Sequence, residues 1–295
     1  MSRVVVRAPA TIANLGPGFD CLGIAIAWYN EVRVETDPSG ELTITVAGEG
    51  ADQISRDESN LVVRAIRDVH PSAGGLRIHL TSAIPFGRGF GSSAAAIVAG
   101  LIVGGALAGR HGPPSEVVAR GARLEGHADN VAACVLGGAV VVAGERTQAL
   151  GAAALEAVVC VSPAALSTEA ARRALPDQVP FDLAVATAGR AALLAASLAR
   201  EELGALMAAT EDALHQPSRF ALAPEAGALV EALRAEGVAA FLAGAGPSVA
   251  ALTPAESGAK AEAAAHRSAP DGWDVRRVQI DPRGAEIVEQ DSSRA

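Results

Sequence analysis

Residues Ile84 to Ala96 read IPFGRGFGSSAAA. Glycines at 87, 89 and 91 are followed at once by two serines and a run of alanines. Glycine lacks a Cβ, so several backbone N–H groups of such a loop can converge on one anion. A helix that starts directly after the loop adds the positive end of its dipole. Ser92 and Ser93 stand where an N-cap or first-turn residue belongs. Their hydroxyls can close the helix end, touch a phosphate or reach a phosphate-bound cation. No lysine follows the last glycine, so the stretch is not a GxxxxGK[ST] loop. It is not a dinucleotide fingerprint either, because the acidic residue expected about twenty positions on is absent. The alternative is a tight strand-to-helix turn whose glycines serve packing alone.

Two further stretches share this texture. Ala10 to Gly23 is ATIANLGPGFDCLG, and Leu242 to Val249 is LAGAGPSV. Three glycine-rich stretches, at the start, middle and end of one chain, are harder to explain as turns than one would be. The segments between them carry clear periods. Strands are expected over Arg3–Arg7, Ala25–Thr36, Glu41–Ala47, Leu76–Ser82, Ala139–Ala143, Leu155–Val161, Gly237–Ala243 and Asp274–Ile280. Asp37 to Gly40 reads as a hairpin turn. Helices are expected over Ser59–Val69, the apolar run after Ser93, Val117–Glu125, Val131–Leu136, Ser167–Leu175, Ala223–Glu236 and Ala255–His266, with one long helical region over Ala184–Leu214. Arg283 to Ala295 reads as a frayed polar tail. The pattern is α+β in two lobes, residues 1–150 and 151–295.

The chain has 295 residues, half of them hydrophobic but only 3% aromatic, so alanine, valine and leucine must fill the core. A net charge of -9 argues against a nucleic-acid partner, though not against an anionic small molecule met by local donors. Cys21, Cys134 and Cys160 are odd in number and unclustered, which fits a reducing cytoplasm better than a disulfide framework. Lys260 is the only lysine. The segment before Pro9 lacks a signal-peptide core. Phe90 to Gly109 is uncharged and long enough to span a bilayer, with small residues at Gly100 and Gly104. Its lack of an aromatic belt favours a buried helix and no membrane partner.

The set RAPATIANLGPGFD, IPFGRGFGSSAA and AGAGPSV resembles the three motifs of the GHMP small-molecule kinases, and the first is close to the form found in their homoserine kinase branch. EGHADNVAACVLGG (Glu125–Gly138), LSTEAARRALP (Leu166–Pro176) and LHQPSRFALAP (Leu214–Pro224) resemble further segments of that branch. Ala128, Phe90 and Ala243 depart from it, standing where proline, leucine and serine are commoner. The resemblance implies a two-lobe fold. An N-terminal ATP-binding α/β lobe would hold a left-handed β-α-β crossover, and a C-terminal α+β lobe would be ferredoxin-like.

It also implies a reaction: ATP and L-homoserine give ADP and O-phospho-L-homoserine, a step of threonine biosynthesis. ATP would lie on Pro85, Phe86, Gly87, Arg88, Gly89, Phe90, Gly91, Ser92, Ser93, Ala94 and Ala95. Ser93 and Glu125 would hold Mg²⁺. Arg172 and Arg219 would clamp the substrate carboxylate, with Thr168 and Gly244 nearby. Asn14 and Asp20 would take the ammonium, and His127, Asp129 and Asn130 would surround the reacting hydroxyl. Whether Asp129 is a general base, or attack proceeds without one, stays open. So does the oligomeric state, with a homodimer among the alternatives. The rival readings are a kinase of the same superfamily for another small alcohol such as mevalonate, and a nucleotide or amino-acid sensor on the same fold.

Overall fold

In the computed structural model, which describes residues 2–151 and 154–292, β1 (Ser2–Asn14) and β2 (Gly18–Asp37) open the chain as one long antiparallel hairpin. The first glycine-rich stretch is therefore mostly strand, and only Leu15, Gly16 and Pro17 turn. Thr11, Ile12, Ala13 and Leu15 are buried, so core packing carries the strand through what reads locally as a loop. The backbone is unusual where the site residues sit: φ is 70° at Asn14 and 55° at Asp20. Asn and Asp tolerate this left-handed region better than most residues.

β3 (Leu42–Gly48) follows the Asp37–Gly40 turn but does not pair with β2. After α1 (Leu61–Val69), whose N-cap Asn60 accepts from the Val62 N–H at 2.9 Å, β4 (Gly75–Ser82) inserts between them. It runs antiparallel to β2 and parallel to β3, the only parallel pair among the described strands. The expected hairpin is thus corrected. Turn chemistry fixes a local reversal, whereas the partner is set by burial. β4 buries Leu76, Ile78 and Leu80 and takes the inner place, while β3 buries only Ile44 and forms the edge.

α2 (Ser92–Leu107), α3 (Pro114–Glu125) and α4 (Asp129–Leu136) pack with α1 against this sheet. Cβ atoms at Gly100 and Gly104 would lie 2.6 Å from the Val62 carbonyl oxygen and 2.9 Å from that of Ile66. The small-residue spacing is therefore the seat of α1. At 16 residues, α2 is shorter than a bilayer span and largely buried in the core. β5 (Ala139–Ala143) and β6 (Arg146–Gly151) extend the sheet beyond β2.

β7 (Leu155–Val161) begins a second sheet. Between β7 and the next strand come α5 (Thr168–Arg173), α6 (Phe181–Arg200), α7 (Leu206–Ala209), α8 (Gln216–Phe220) and α9 (Pro224–Ala235). The long helical region expected over Ala184–Leu214 is broken: Glu201 turns left-handed at φ 57° and ends α6. α6 is long and apolar enough to cross a membrane by length and composition, and it exposes Phe181, Val185 and Leu193. β8 (Ala239–Leu242), β9 (Val249–Pro254), α10 (Gly258–Ser268) and β10 (Asp274–Gln279) complete the unit. The four strands stand in the order β10-β7-β9-β8, all antiparallel, with α9 and α10 sharing their core. That order is ferredoxin-like.

β11 (Glu286–Ser292) then returns to the first sheet and pairs antiparallel with β1. The frayed-tail reading is corrected for these residues, and residues 293–295 lie outside the described ones. Arg3 meets Glu289 at 3.1 Å and Arg7 meets Glu286, cross-strand pairs that a lone polar tail does not advertise.

Candidate active site

The loop between β4 and α2 bends at three glycines of positive φ: 70° at Gly87, 92° at Gly89 and 65° at Gly91. Two of them are also pressed from outside. A Cβ at Gly91 would lie 2.0 Å from Thr11 Oγ1, and one at Gly89 would lie 2.1 Å from the Ala243 carbonyl oxygen. The loop is thus wedged between β1 and the third glycine stretch. Asn14 Nδ2 donates to the Gly244 carbonyl at 2.9 Å and closes the triangle of motifs. Tight packing accounts for Gly89 and Gly91 but leaves the helix end open. Gly91, not a serine, is the N-cap of α2, and no side chain caps the helix. The first ladder bond runs from Ala95 N–H to the Gly91 carbonyl, so the N–H groups of Ser92, Ser93 and Ala94 precede it. Ser92 and Ser93 line the cleft.

Opposite that helix end, Ser93 Oγ–H donates to Glu125 Oε1 at the last residue of α3. The pair offers two hard oxygens. Among the described residues no three His, Cys, Asp or Glu side chains gather into a closed metal centre. Two protein oxygens beside phosphate oxygens and water suit Mg²⁺, so the donor set fits that ion. His127 Nδ1 meets Asp129 Oδ1 at 2.9 Å, and the same oxygen accepts the Asn130 N–H at 2.8 Å. Burial disfavours the His127 cation, but the Asp129 hydrogen bond and charge outweigh it and raise the pKa. Thr11 Oγ1–H donates to Asn130 Oδ1 at 2.7 Å. The acceptor side of that amide is thereby engaged, and its Nδ2 donor is left for the cleft.

The charged end of the cleft lies between β2, α5 and α8. Arg172 donates from both Nη atoms to Asp20, at 2.9 and 2.7 Å. That bond and the Asp20 charge raise the Arg172 pKa. Arg219 is different. It is 2% exposed, and its Nη1 donates to the Gly244 carbonyl at 3.0 Å. Its Nε has no partner among the described residues. Burial, helped by nearby Arg172, pulls its pKa down to about 10, so it remains a cation at neutral pH. The Phe19 ring lies under both guanidiniums, 5.5 Å from Arg172 and 5.1 Å from Arg219. Both faces can thus be desolvated without a second carboxylate.

One cavity of about 180 Å³ gathers nearly all the residues singled out from sequence: Asn14, Asp20, Pro85 through Ser93, Glu125, His127, Asp129, Asn130, Thr168, Arg172, Arg219 and Gly244. Ala94 and Ala95 are not among them. Both are fully buried, and Ala95 spends its N–H inside the helix. Phe90 lends only its neighbourhood to the cleft: it is 1% exposed and its ring lies 5.8 Å from Trp28. Two features were not anticipated. A second cavity of about 170 Å³ adjoins Phe86, Ser92 and Ser93 and is walled by Ile54, Leu61, Val62, Leu80 and Ala96, with Asn60 and Gln53 at its polar points. Its apolar wall comes from α1, β4, α2 and the loop before α1, and apart from Ala96 it lies outside the quoted motifs. The other is buried His215, which the pattern around Arg219 includes without saying what it touches.

A model of the N-terminal domain of the GHMP kinases matches residues 60–138, and a model of their C-terminal domain matches residues 192–271. The homoserine kinase of Streptomyces avermitilis is 44% identical to this chain, covering 97% of it and 96% of that protein. The homoserine kinase of Streptomyces coelicolor is 43% identical, covering 97% of this chain and 95% of its own. The crystal structure of homoserine kinase from Cytophaga hutchinsonii has a TM-score of 0.88 at 29% identity, over 97% of each chain.

Proposed function

The chain belongs to the GHMP kinase family, and from that premise we propose that it transfers the γ-phosphoryl group of ATP to the hydroxyl of L-homoserine. The observation that carries the substrate is the buried Arg219 guanidinium, without a carboxylate partner of its own, beside the Asp20 carboxylate. An amino acid presents a carboxylate and an ammonium, and these two residues answer both. Asp20 can accept an ammonium N–H while keeping Arg172, because a carboxylate has about four acceptor sites. Arg172 adds positive charge on the carboxylate side. Mevalonate has a carboxylate but no ammonium, so it would leave Asp20 with Arg172 alone and its remaining acceptor sites unused.

The phosphates lie against the glycine loop and the open end of α2, whose N–H groups precede the hydrogen-bond ladder. The apolar cavity beside Phe86 takes the flat base. Ser93 and Glu125 would hold a Mg²⁺, which when bound neutralises charge on the phosphate oxygens. The substrate hydroxyl oxygen attacks the γ-phosphorus in line, and the bond to the β,γ-bridging oxygen breaks. ADP leaves with that electron pair, and the hydroxyl proton passes to the phosphoryl oxygens or to water. Asn130 orients the hydroxyl as a donor through Nδ2, since Thr11 occupies its Oδ1. Asp129 is 1% exposed and spends Oδ1 on His127 and on a backbone N–H, so it serves to hold its neighbours and the attack is base-free. Positioning and electrostatics then supply the catalysis.

We read a two-lobe division near residue 150, with β11 returning to the first sheet; lining residues drawn from both halves of the chain support a cleft between the lobes. The three cysteines are free, which fits a reducing cytoplasm, and the proposed reaction is a step of threonine biosynthesis. The test is an ADP-release assay with homoserine and mevalonate in competition. Homoserine should dominate turnover. Preference for mevalonate would overturn the substrate, and binding of both ligands with no turnover would favour a sensor.

A further inference from the structure

His215 is 1% exposed and stands immediately before α8, four residues ahead of Arg219. Its Nε2 lies 2.8 Å from the Gly16 carbonyl oxygen. A carbonyl can only accept, so Nε2 carries the proton and Nδ1 is left as an acceptor. That Nδ1 faces Arg219 Nη1 at 3.3 Å. The imidazole also tilts against the Phe19 ring, 5.1 Å between centroids. One side chain therefore ties the β1–β2 turn to the guanidinium.

Among the described residues, the contacts that hold Arg219 are neutral: the Gly244 carbonyl, the Phe19 ring and His215 Nδ1. A carboxylate at position 215 would fix the guanidinium equally well but would cancel its charge. A neutral acceptor fixes it and leaves the charge for a ligand. The charged groups facing the imidazole are Asp212 from the preceding turn, 3.5 Å from Nε2, Arg219 on α8, and Asp20 from β2. Burial holds the imidazole below its usual pKa, Asp212 opposes this, and Arg219 reinforces it. Asp212 is already engaged by the backbone N–H groups of Leu214, His215 and Gln216.

We propose that His215 is a positioning residue for recognition of the substrate carboxylate: locked as its Nε2–H form by the Gly16 carbonyl, it holds the Arg219 guanidinium through Nδ1, and protonation of the ring breaks that hold. The proposal rests on Arg219 as the carboxylate anchor. A proton on Nδ1 would point an N–H at a guanidinium, setting two cations against each other. Carboxylate binding then weakens on the acid side, whereas the nucleotide end of the cleft does not feel the change.

The experiment is steady-state kinetics of the full chain from about pH 4.5 to about pH 8.5, reaching below the ordinary histidine range because burial lowers the His215 pKa. The variants are His215→Leu, His215→Asn and Arg219→Met. His215→Leu should raise the homoserine KM by about 10- to 100-fold, the loss of one hydrogen bond to a charged group, with the ATP KM and kcat changed by less than about 2-fold. His215→Asn places Oδ1 near the former Nδ1 position. It should recover most of the affinity and abolish the acid rise in homoserine KM seen in the wild type. An unchanged homoserine KM in His215→Leu, an equal rise in both KM values, or an acid rise that persists in His215→Asn overturns the proposal. If His215→Leu does not fold, the pH profile of His215→Asn carries the test alone. Arg219→Met separates the two levels: no effect there overturns the anchor and this proposal with it. A large effect there beside silent His215 variants overturns the proposal only.

Discussion

Replacing Gly91 by alanine separates the two reasons for a glycine at the head of α2. Gly91 has φ 65° and Gly109, at the other end of the same helix, has φ 66°. Alanine at either position carries the same left-handed backbone cost, about 1–2 kcal/mol. At Gly109 a new Cβ meets nothing within 4 Å, so that cost is the whole effect. At Gly91 the Cβ lies 2.0 Å from Thr11 Oγ1 and 3.1 Å from Asn130 Oδ1. The Thr11 hydroxyl must move, its 2.7 Å bond to Asn130 breaks, and the loop shifts off β1. Overpacking adds about 1–3 kcal/mol and the lost hydrogen bond about 1 kcal/mol. Gly91→Ala should therefore cost about 3–6 kcal/mol against about 1–2 kcal/mol for Gly109→Ala. Urea unfolding read from midpoint and slope measures both. A Thr11→Ala background completes a double-mutant cycle: with Oγ1 gone, Gly91→Ala should lose about half its cost. Equal losses in the two glycine variants, or additivity with Thr11→Ala, would refute the wedge. Gly91 would then be explained by φ alone.

Glu125→Gln and Ser93→Ala should each lower kcat/KM by about 100-fold or more and raise the Mg²⁺ concentration for half-maximal turnover, checked by metal titration at saturating substrates. Asp129→Asn should cost less than about 100-fold in kcat, because its Oδ1 holds His127 and Asn130 in place; a loss of about three decades or more with the fold intact would point to a general base. Ala96→Phe fills the apolar cavity beside the phosphate loop and should raise the ATP KM by about 10-fold or more while sparing the homoserine KM. His215 has a lowered pKa in the fold, chiefly from burial, so the unfolded chain binds its proton first as pH falls below the usual value of 6.5. Stability from this group is complete above that pH and lost below it, and the urea midpoint of wild type should fall more steeply than that of His215→Gln on acidification.

Much of the site was legible because its chemistry sits in short contiguous stretches. The glycine loop, the Glu125–Asn130 segment and the arginines at 172 and 219 each announce a residue type suited to phosphate, metal or carboxylate, and all of them line one cleft. The apolar cavity beside Phe86 was not legible. Val62, Leu80 and Ala96 belong to α1, β4 and α2, and apolar residues on three elements look like any core. Asp20 and Arg172 were legible as charges but not as a pair, since a separation of 152 positions leaves their meeting to the fold. That pairing takes up Arg172 and leaves the buried Arg219, among the described residues, without a carboxylate of its own, as is also true of Arg88 in the glycine loop.

The sequence by itself determined what is local: which strongly periodic segments are strand or helix, where glycine must stand, and which polar side chains occur in motif spacing. Period and turn chemistry act within a few residues, so they can be read along the chain. Only the tertiary structure decided what competes across it. β4, not β2, pairs with β3 because the strand with more apolar surface takes the inner position. β11 is a strand because β1 offers an edge and matching charges. The glycines of IPFGRGFGSSAAA carry both kinds of information. Their positive φ is a local demand, whereas Thr11 at 2.0 Å and Ala243 at 2.1 Å are neighbours that only folding brings there.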